Sequence, residues 1–215
     1  MDIILSSISQ GLLWSVMAIG VYLTFRILDI ADMTAEGSYP LGAAVCATGI
    51  VNGLNPLLAT FLAMIAGMGA GLISGLLHTK LKIPALLTGI VTLTGLYSIN
   101  LKILGKANVA LLKQETLVTQ LQDFGLAKTN AVLVIGIIFV LAVVGVLSLL
   151  LNTQIGLAIR STGDNIPMSE ANGINVDRMK IYGYMISNGL IALCGALLTQ
   201  NNGYADLNCV QSYTA

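Results

Sequence analysis

Charged residues are scarce in this sequence. Asp, Glu, Lys and Arg make up 9% of the 215 residues, whereas apolar residues make up 56% and the mean hydropathy is +0.86. Water-soluble domains of ordinary composition carry roughly 25% charged residues, far more than this chain. The composition therefore excludes a soluble globular domain and indicates an integral membrane protein.

The residue types that build most active sites are also few. The only histidine is His78, and the three cysteines, Cys46, Cys194 and Cys209, lack metal-ligand spacing. We interpret the cysteines as small packing residues and expect no metal site or catalytic triad. No Gly-rich loop ends in Gly-Lys-Ser or Gly-Lys-Thr, so the chain cannot cradle ATP in that way. We expect a non-enzymatic chain that needs no cofactor.

The sequence does contain long runs without charged residues. They are continuously apolar rather than alternating, and a helix of about 20 residues crosses a hydrocarbon core of about 30 Å. Backbone groups in lipid must be satisfied internally, which a helix achieves. We therefore predict one all-α domain over residues 1–215, a polytopic transmembrane helical bundle with about six spans. The predicted spans are 8–28, 38–53, 56–78, 84–104, 131–151 and 181–203.

A cluster of acids follows the first span and includes Asp32 and Glu36. Each acid would cost about 2.5–3.5 kcal/mol at the centre of a bilayer, so these side chains must lie at the interface or line a wet cavity. Gly37 and Pro40 predict that the helix breaks here and restarts near Ser38. Broken helices offer backbone groups to solutes in many transporters. The alternative is that Glu36 and Ser38 only cap the next helix.

Small residues recur at every fourth position of the third span, at Gly67, Gly71 and Gly75. In lipid, such a stripe allows close contact between helix backbones. We expect tight packing on a neighbouring helix, which could belong to the same chain or to a second copy.

The fourth span carries hydroxyl groups at Thr88, Thr92 and Tyr97. These groups could point into a central pathway. Hydroxyls within a helix usually bond back to the preceding turn or to a neighbouring helix, and this second interpretation is the one that we favour.

A polar loop, residues 152–180, separates the last two spans. Pro167 and Gly173 predict a short helix from Pro167 to Asn172, because proline suits a first helical turn and glycine a C-terminus. The basic stretch 78–82 is predicted to be cytoplasmic. Two spans separate it from the polar loop, which is then cytoplasmic too, with the N-terminus outside. The alternative for the polar loop is an ordinary solvated connection.

Three stretches resemble one family. They are LDIADMTAEGSYPLGAAV (Leu28–Val45), HTKLKIPALLTGIVTLTGLYSINLKILGK (His78–Lys106) and IGLAIRSTGDNIPMSEANGINVDRMK (Ile155–Lys180). In order and spacing they are similar to the inner-membrane permeases of bacterial ABC importers of the branched-chain amino acid and ribose type. The likeness is greatest to a subgroup linked to tryptophan and tyrosine uptake.

The resemblance implies a permease subunit whose polar loop, through the short helix, docks into a cleft on an ATP-binding subunit. The polar loop departs from the family pattern at Ser161 and at residues 169–172. The resemblance places the substrate pathway at Asp32, Thr34, Glu36, Gly37, Ser38 and Tyr39, and the hydroxyls of Thr88, Thr92 and Tyr97 are added as candidates. It places the coupling residues at Gly163, Asp164, Asn165, Met168, Ala171, Gly173 and Ile174.

We therefore expect an ATP-driven importer of a small polar solute in the bacterial plasma membrane. The expected solute is an amino acid and, more narrowly, an aromatic one. The implied partners are an ATP-binding subunit, an extracytoplasmic solute-binding protein, a second permease copy and the lipid bilayer, with no nucleic acid. The alternative is a self-contained transporter or channel driven by an ion gradient through Asp32 and Glu36. Relatives continue beyond Asn201–Asn208 with further helices, so we expect residues 209–215 to end a truncated product.

Overall fold

The computed structural model describes residues 2–105, 108–111, 114–123 and 127–206. Within these ranges the chain is almost entirely helical, which confirms the predicted all-α membrane bundle. The helices are α1 (Asp2–Tyr22), a π-helical segment (Leu23–Ile27), α2 (Ala35–Val51), α3 (Pro56–Lys80), α4 (Ala85–Leu104), α5 (Leu117–Asp123), α6 (Lys128–Leu151), α7 (Gln154–Asp164), α8 (Ile166–Ala171) and α9 (Val176–Asn202).

Five of the described helices are long and apolar enough to cross a membrane. They are α1 with its π-helical extension, α3, α4, α6 and α9. The span predicted at 38–53 corresponds to α2, which has 17 residues and covers only about 25 Å. Most of α2 is buried among other helices, so its surroundings are mainly protein rather than lipid.

The centre of the bundle is formed by α2 and α9. All residues of α9 from Ser187 to Gln200 are buried, and it packs against α1, α2 and α3. A Cβ atom at Gly42 of α2 would overlap the carbonyl group of Ala192, and one at Gly195 of α9 would overlap the carbonyl oxygen of Tyr39. The two central helices therefore touch backbone to backbone, while α4 covers α2 and α6 covers α1.

The break after the first span lies earlier than predicted. The π-helical segment ends at Ile27, and α2 begins at Ala35 rather than near Ser38. In between, Asp29 adopts a left-handed conformation (φ 55°), which aspartate tolerates better than most residues. The carbonyl of Thr34 already accepts the backbone N–H groups of Gly37 and Ser38 at 2.9 Å. The first turn of α2 therefore forms before the glycine, which is why the prediction of a restart near Ser38 is wrong.

A small antiparallel sheet was not predicted. It pairs β1 (Asn108–Ala110) with β2 (Tyr204–Asp206), and Val109 faces Ala205 in the register. The sheet connects the segment after α4 to the end of α9, so a local connection is anchored to the central helix.

Candidate translocation and coupling sites

A buried polar cluster lies where residues 28–34, which we call the break segment, meet α2, α3 and α9. It consists of Asp32, Thr34, Ser38, Ser74 and Asn188, all at most 3% exposed. One carboxylate oxygen of Asp32 accepts the backbone N–H of Thr34 at 2.9 Å, and the other accepts the side-chain amide of Asn188 at 2.8 Å. Ser38 donates to the amide oxygen of Asn188 at 2.6 Å, and the hydroxyls of Thr34 and Ser74 lie 2.9 Å apart.

These bonds give the buried carboxylate the partners that burial requires, since an isolated charge in an apolar interior is costly. Asn188 also donates to the carbonyl oxygen of Tyr184 at 3.0 Å, so its amide group is used in three bonds. The hydroxyl of Tyr184 is buried and has no hydrogen-bond partner among the described residues. Its ring lies 6.0 Å from that of His78, at the end of α3. One polar network therefore joins the break segment, α2, α3 and α9.

The remaining predicted pathway residues of α2 do not join this cluster. Glu36 is exposed, so it and Asp32 lie in different surroundings. Tyr39 is buried and its ring stacks on that of Trp14 at 5.7 Å, on the side of α1. Gly37 packs against α4, and its carbonyl oxygen accepts the side-chain amide of Asn100 at 3.4 Å.

The hydroxyl groups of Thr88 and Thr92 form hydrogen bonds within α4 and to the residue shortly before it. Thr92 donates to the carbonyl oxygen of Thr88 at 2.9 Å, and Thr88 donates to that of Ile83 at 3.5 Å. The side chain of Tyr97 is 50% exposed on the outside of the helix. None of the three contributes to the buried polar cluster.

Three residues of this region were missed by sequence reasoning. Ser74 and Asn188 complete the cluster, and Asn100 is buried with an amide oxygen that has no partner among the described residues. The available signal was an amide side chain in an otherwise uncharged span, because polar groups inside membranes are costly and mark functional or packing sites.

The glycine stripe of α3 faces α9 of the same chain. A Cβ atom at Gly71 would overlap the carbonyl oxygen of Tyr184, and one at Gly67 would overlap the Cβ of Ala192. Gly75 lies against Ile181 with less overlap, at 3.0 Å. The stripe brings α3 close enough for Ser74 to reach the polar cluster.

The polar loop folds into α7 and α8, and each start is capped by a side chain. Thr153 accepts the backbone N–H of Gly156 at 3.4 Å, and Asn165 accepts that of Met168 at 3.0 Å. Asparagine and threonine are favoured at this position because they satisfy a free N–H group of the first turn. The short helix predicted from Pro167 to Asn172 is α8, which begins and ends one residue earlier.

Most predicted coupling residues lie at the surface of this loop, on α8 and its flanks. The side chain of Met168 is 64% exposed. Gly163 and Ile174 are half-buried. The exposed members of the predicted set are Asp164, Asn165, Met168, Ala171 and Gly173.

Gly163 of α7 brings the polar loop into backbone contact with the start of the break segment. Gly163 is so close to the end of the π-helical segment that a Cβ atom would overlap the carbonyl oxygen of Ile27. The next residue, Leu28, fills the space left by the missing side chain of Gly183 in α9. The polar loop is therefore in direct contact with the chain that leads to Asp32.

No group of three His, Cys, Asp or Glu side chains that could hold a metal ion occurs in the described part of the chain. Cys46 accepts a hydrogen bond from the side-chain amide of Gln200 at 3.2 Å, and Cys194 donates to the carbonyl oxygen of Leu13 at 3.2 Å. Both thiols are buried and free. Cys209 lies outside the described residues.

Comparison with known proteins agrees with this architecture. Residues 3–214 match the family model described as "Branched-chain amino acid transport system / permease component". The chain is 43% identical to a tyrosine transport system permease protein of Clostridioides difficile (strain R20291) over 205 residues, which cover 95% of this chain and 67% of the relative. It is 35% identical over 208 residues to an uncharacterized protein of Rickettsia prowazekii (strain Madrid E), covering 97% and 71%.

A more distant similarity extends to an autoinducer 2 import system permease protein of Yersinia enterocolitica. The identity is 29% over 203 residues, which cover 94% of this chain and 53% of that relative. No solved structure matches.

Proposed function

The chain belongs to the family of permease components of branched-chain amino acid transport systems, and on this premise we propose that it couples ATP hydrolysis in a partner subunit to import of an amino acid. The observation that carries the proposal is the contact of Gly163 with the backbone of Ile27. Through this contact, a partner that moves the polar loop would move the break segment and its buried Asp32. Hydrolysis takes place in the partner chain.

The docking part of the proposal assigns α8 and its flanks to the ATP-binding subunit. Ile166 and Met168 expose 41% and 64% of their surfaces on a helix that packs against its neighbours α7 and α9. We propose that these two exposed apolar side chains form part of a contact with another protein. Gly163, Asp164, Asn165, Ala171, Gly173 and Ile174 are proposed to complete this coupling surface.

The pathway part of the proposal follows the break segment and the N-terminal half of α2. Asp32, Thr34 and Ser38 present the polar atoms, and Gly37 allows α4 to approach. Glu36 and Tyr39 lie on different sides of this site. We propose that the α4 residues Thr88, Thr92 and Tyr97 line the site only when α4 moves. Rearrangement of the hydrogen bonds of Asn188 would change access to Asp32, which requires the two arrangements to differ little in free energy.

The proposed solute is an amino acid with an aromatic side chain. The support is the relative that is named for tyrosine transport, which shares 43% identity across 95% of this chain. An extracytoplasmic binding protein would deliver the solute.

The proposed setting is the bacterial plasma membrane, with the N-terminus outside and residues 152–180 in the cytoplasm. The outer faces of α3, α4 and α6 expose large apolar side chains, among them Leu58, Leu87 and Leu141. These faces would contact lipid and a second copy of the permease. We also propose that residues 1–215 form one permease domain, with residues 152–180 as its cytoplasmic coupling loop.

Reconstitution into proteoliposomes tests the proposal. Uptake of radiolabelled tyrosine is measured with this chain, its ATP-binding subunit and its binding protein, with ATP or a non-hydrolysable analogue on the side of the ATP-binding subunit. We expect uptake only with hydrolysable ATP, unchanged by ionophores that collapse proton and sodium gradients. Uptake by this chain alone that follows an ion gradient would overturn the proposal in favour of a self-contained transporter working through Asp32 and Glu36.

A further inference from the structure

A cavity of about 290 Å³ lies between the π-helical segment, the end of α6 and α7. It is separate from the buried polar cluster, and of the predicted coupling residues only Asp164 borders it. We call it the arginine cavity, and it is lined by Tyr22, Arg26, Ile27, Leu151, Arg160 and Asp164.

Two glycines hold α7 against the walls of the arginine cavity. A Cβ atom at Gly156 would overlap the carbonyl oxygen of Leu150 at the end of α6, and one at Gly163 would overlap that of Ile27. Arg160 follows Gly156 by four residues and precedes Gly163 by three, so all three share one face of α7. The face that brings α7 into contact with both walls therefore also brings Arg160 to the cavity between them.

The charged side chains that line the arginine cavity have no ion-pair partner in the described part of the chain. Arg26 and Arg160 are both exposed, and neither forms an ion pair or a side-chain hydrogen bond with another described residue. The same holds for Asp164. Two guanidinium groups and one carboxylate leave one net positive charge. Guanidinium groups bind phosphate oxygens in pairs of parallel hydrogen bonds, which makes arginine the preferred residue for such ligands.

The residues around the arginine cavity indicate that a ligand would reach it from the membrane. On α6, directly before the cavity, Val146 and Leu149 expose 64% and 73% of their surfaces, as expected of residues that face lipid tails. Tyr22, at the cavity, is 56% exposed, and tyrosine is enriched at membrane–water interfaces. The cavity therefore opens at the depth of the bilayer where the acyl chains beside α6 end and the lipid headgroups begin.

We propose that the arginine cavity binds the phosphodiester headgroup of an anionic phospholipid, with its acyl chains along α6. A phosphodiester carries one negative charge and matches the net charge of the site. Inorganic phosphate is a mixture of monoanion and dianion near neutral pH, so much of it carries more negative charge than the single net positive charge of the site balances. The bound lipid would connect the end of α1 to α7 and so attach the polar loop to the bilayer surface. This inference requires a membrane but not the proposed importer function.

Native mass spectrometry of the purified full chain in neutral detergent tests the proposal. Phosphatidylglycerol, phosphatidylethanolamine and phosphatidylcholine are titrated separately at constant ionic strength, and inorganic phosphate is added as a competitor. We expect phosphatidylglycerol to bind more tightly than the two zwitterionic lipids and to persist in millimolar phosphate. Equal affinity for the three lipids overturns the proposal, and displacement by phosphate assigns the cavity to soluble anions instead.

Matched variants locate the binding. Arg26→Gln and Arg160→Gln should each weaken binding of phosphatidylglycerol about fivefold, the effect of one cation at a membrane surface. Arg178→Gln removes an exposed arginine outside the cavity and should leave binding unchanged. Arg26→Lys and Arg160→Lys keep the charge and provide folded comparisons if a glutamine variant unfolds. An equal loss in Arg178→Gln, or no loss in either cavity variant, contradicts the proposal.

Discussion

The carboxylate of Asp32 accepts a 2.8 Å hydrogen bond from the side-chain amide of Asn188, which lies 156 residues further along the chain. Asp32 belongs to the non-helical segment between the first span and α2, whereas Asn188 lies in the central helix α9, within its continuously buried stretch. Ile27 and Leu28, where the π-helical segment meets the break segment, contact Gly163 of the polar loop. In the proposed coupling, a movement of the loop would therefore reach the centre of the bundle through this bond.

Asn188→Leu removes the donor to Asp32 and the acceptor of Ser38 while keeping a similar side-chain volume. We expect a loss of about 2 kcal/mol in the free energy of unfolding, because a buried carboxylate loses a hydrogen bond. Thermal unfolding in detergent, followed by circular dichroism, measures the effect. Asn152→Leu, at an exposed position after α6, is the control and should unfold like the wild type. If Asn188→Leu unfolds like the wild type and Asn152→Leu, the Asp32–Asn188 bond contributes nothing to stability.

Gly71→Ala tests the packing of α3 on α9. The added Cβ meets the carbonyl oxygen of Tyr184, so α3 must move away, and we expect a loss of about 1–3 kcal/mol. Gly69→Ala, on the same helix with open space around it, should be neutral or stabilising by up to about 1 kcal/mol. Thermal unfolding of the two variants, measured side by side, compares their stabilities. If Gly71→Ala is as stable as Gly69→Ala, α3 and α9 do not approach each other as closely at Gly71 as the structure shows.

Met168→Glu tests the docking surface on α8. Met168 is 64% exposed, so the change should leave the melting temperature unaltered while placing a charge on the proposed contact. We expect affinity for the ATP-binding subunit to fall about tenfold, as for a central interface residue worth about 1.4 kcal/mol. Biolayer interferometry with the immobilised permease measures it, and Met168→Leu should bind like the wild type. Unchanged binding of Met168→Glu would exclude α8 from the interface.

The spans were predictable because lipid imposes one rule on every backbone group. Continuous uncharged runs can only be helices there, and the runs around α3, α6 and α9 were found with bounds close to those observed. The helix α8 was predictable for a local reason, the placement of Pro167 before Gly173. The start of α2 was not, because the carbonyl of Thr34 closes the first turn ahead of Gly37 and Pro40.

The polar cluster was predictable only in part. The cost of placing Asp32 in lipid showed that it needed a special environment, but the same argument applied equally to Glu36, which is exposed. What distinguishes the two is the position of Asn188 and Ser74, set by how α3 and α9 pack. That packing depends on contacts between residues far apart in sequence, which no local pattern contains.

The measurement that tests coupling most directly compares Gly163→Val with Gly145→Val in proteoliposomes containing the ATP-binding subunit. Gly163 contacts Ile27, whereas on α6, apart from the adjoining backbone of the helix itself, no atom of another described residue lies within 4 Å of the place where a Cβ at Gly145 would be. We predict that Gly163→Val lowers ATP-dependent tyrosine uptake about tenfold, the effect of losing about 1.4 kcal/mol of coupling, while ATP hydrolysis persists. Gly145→Val should transport normally. Wild-type uptake by Gly163→Val, with hydrolysis intact, would contradict transmission through this contact.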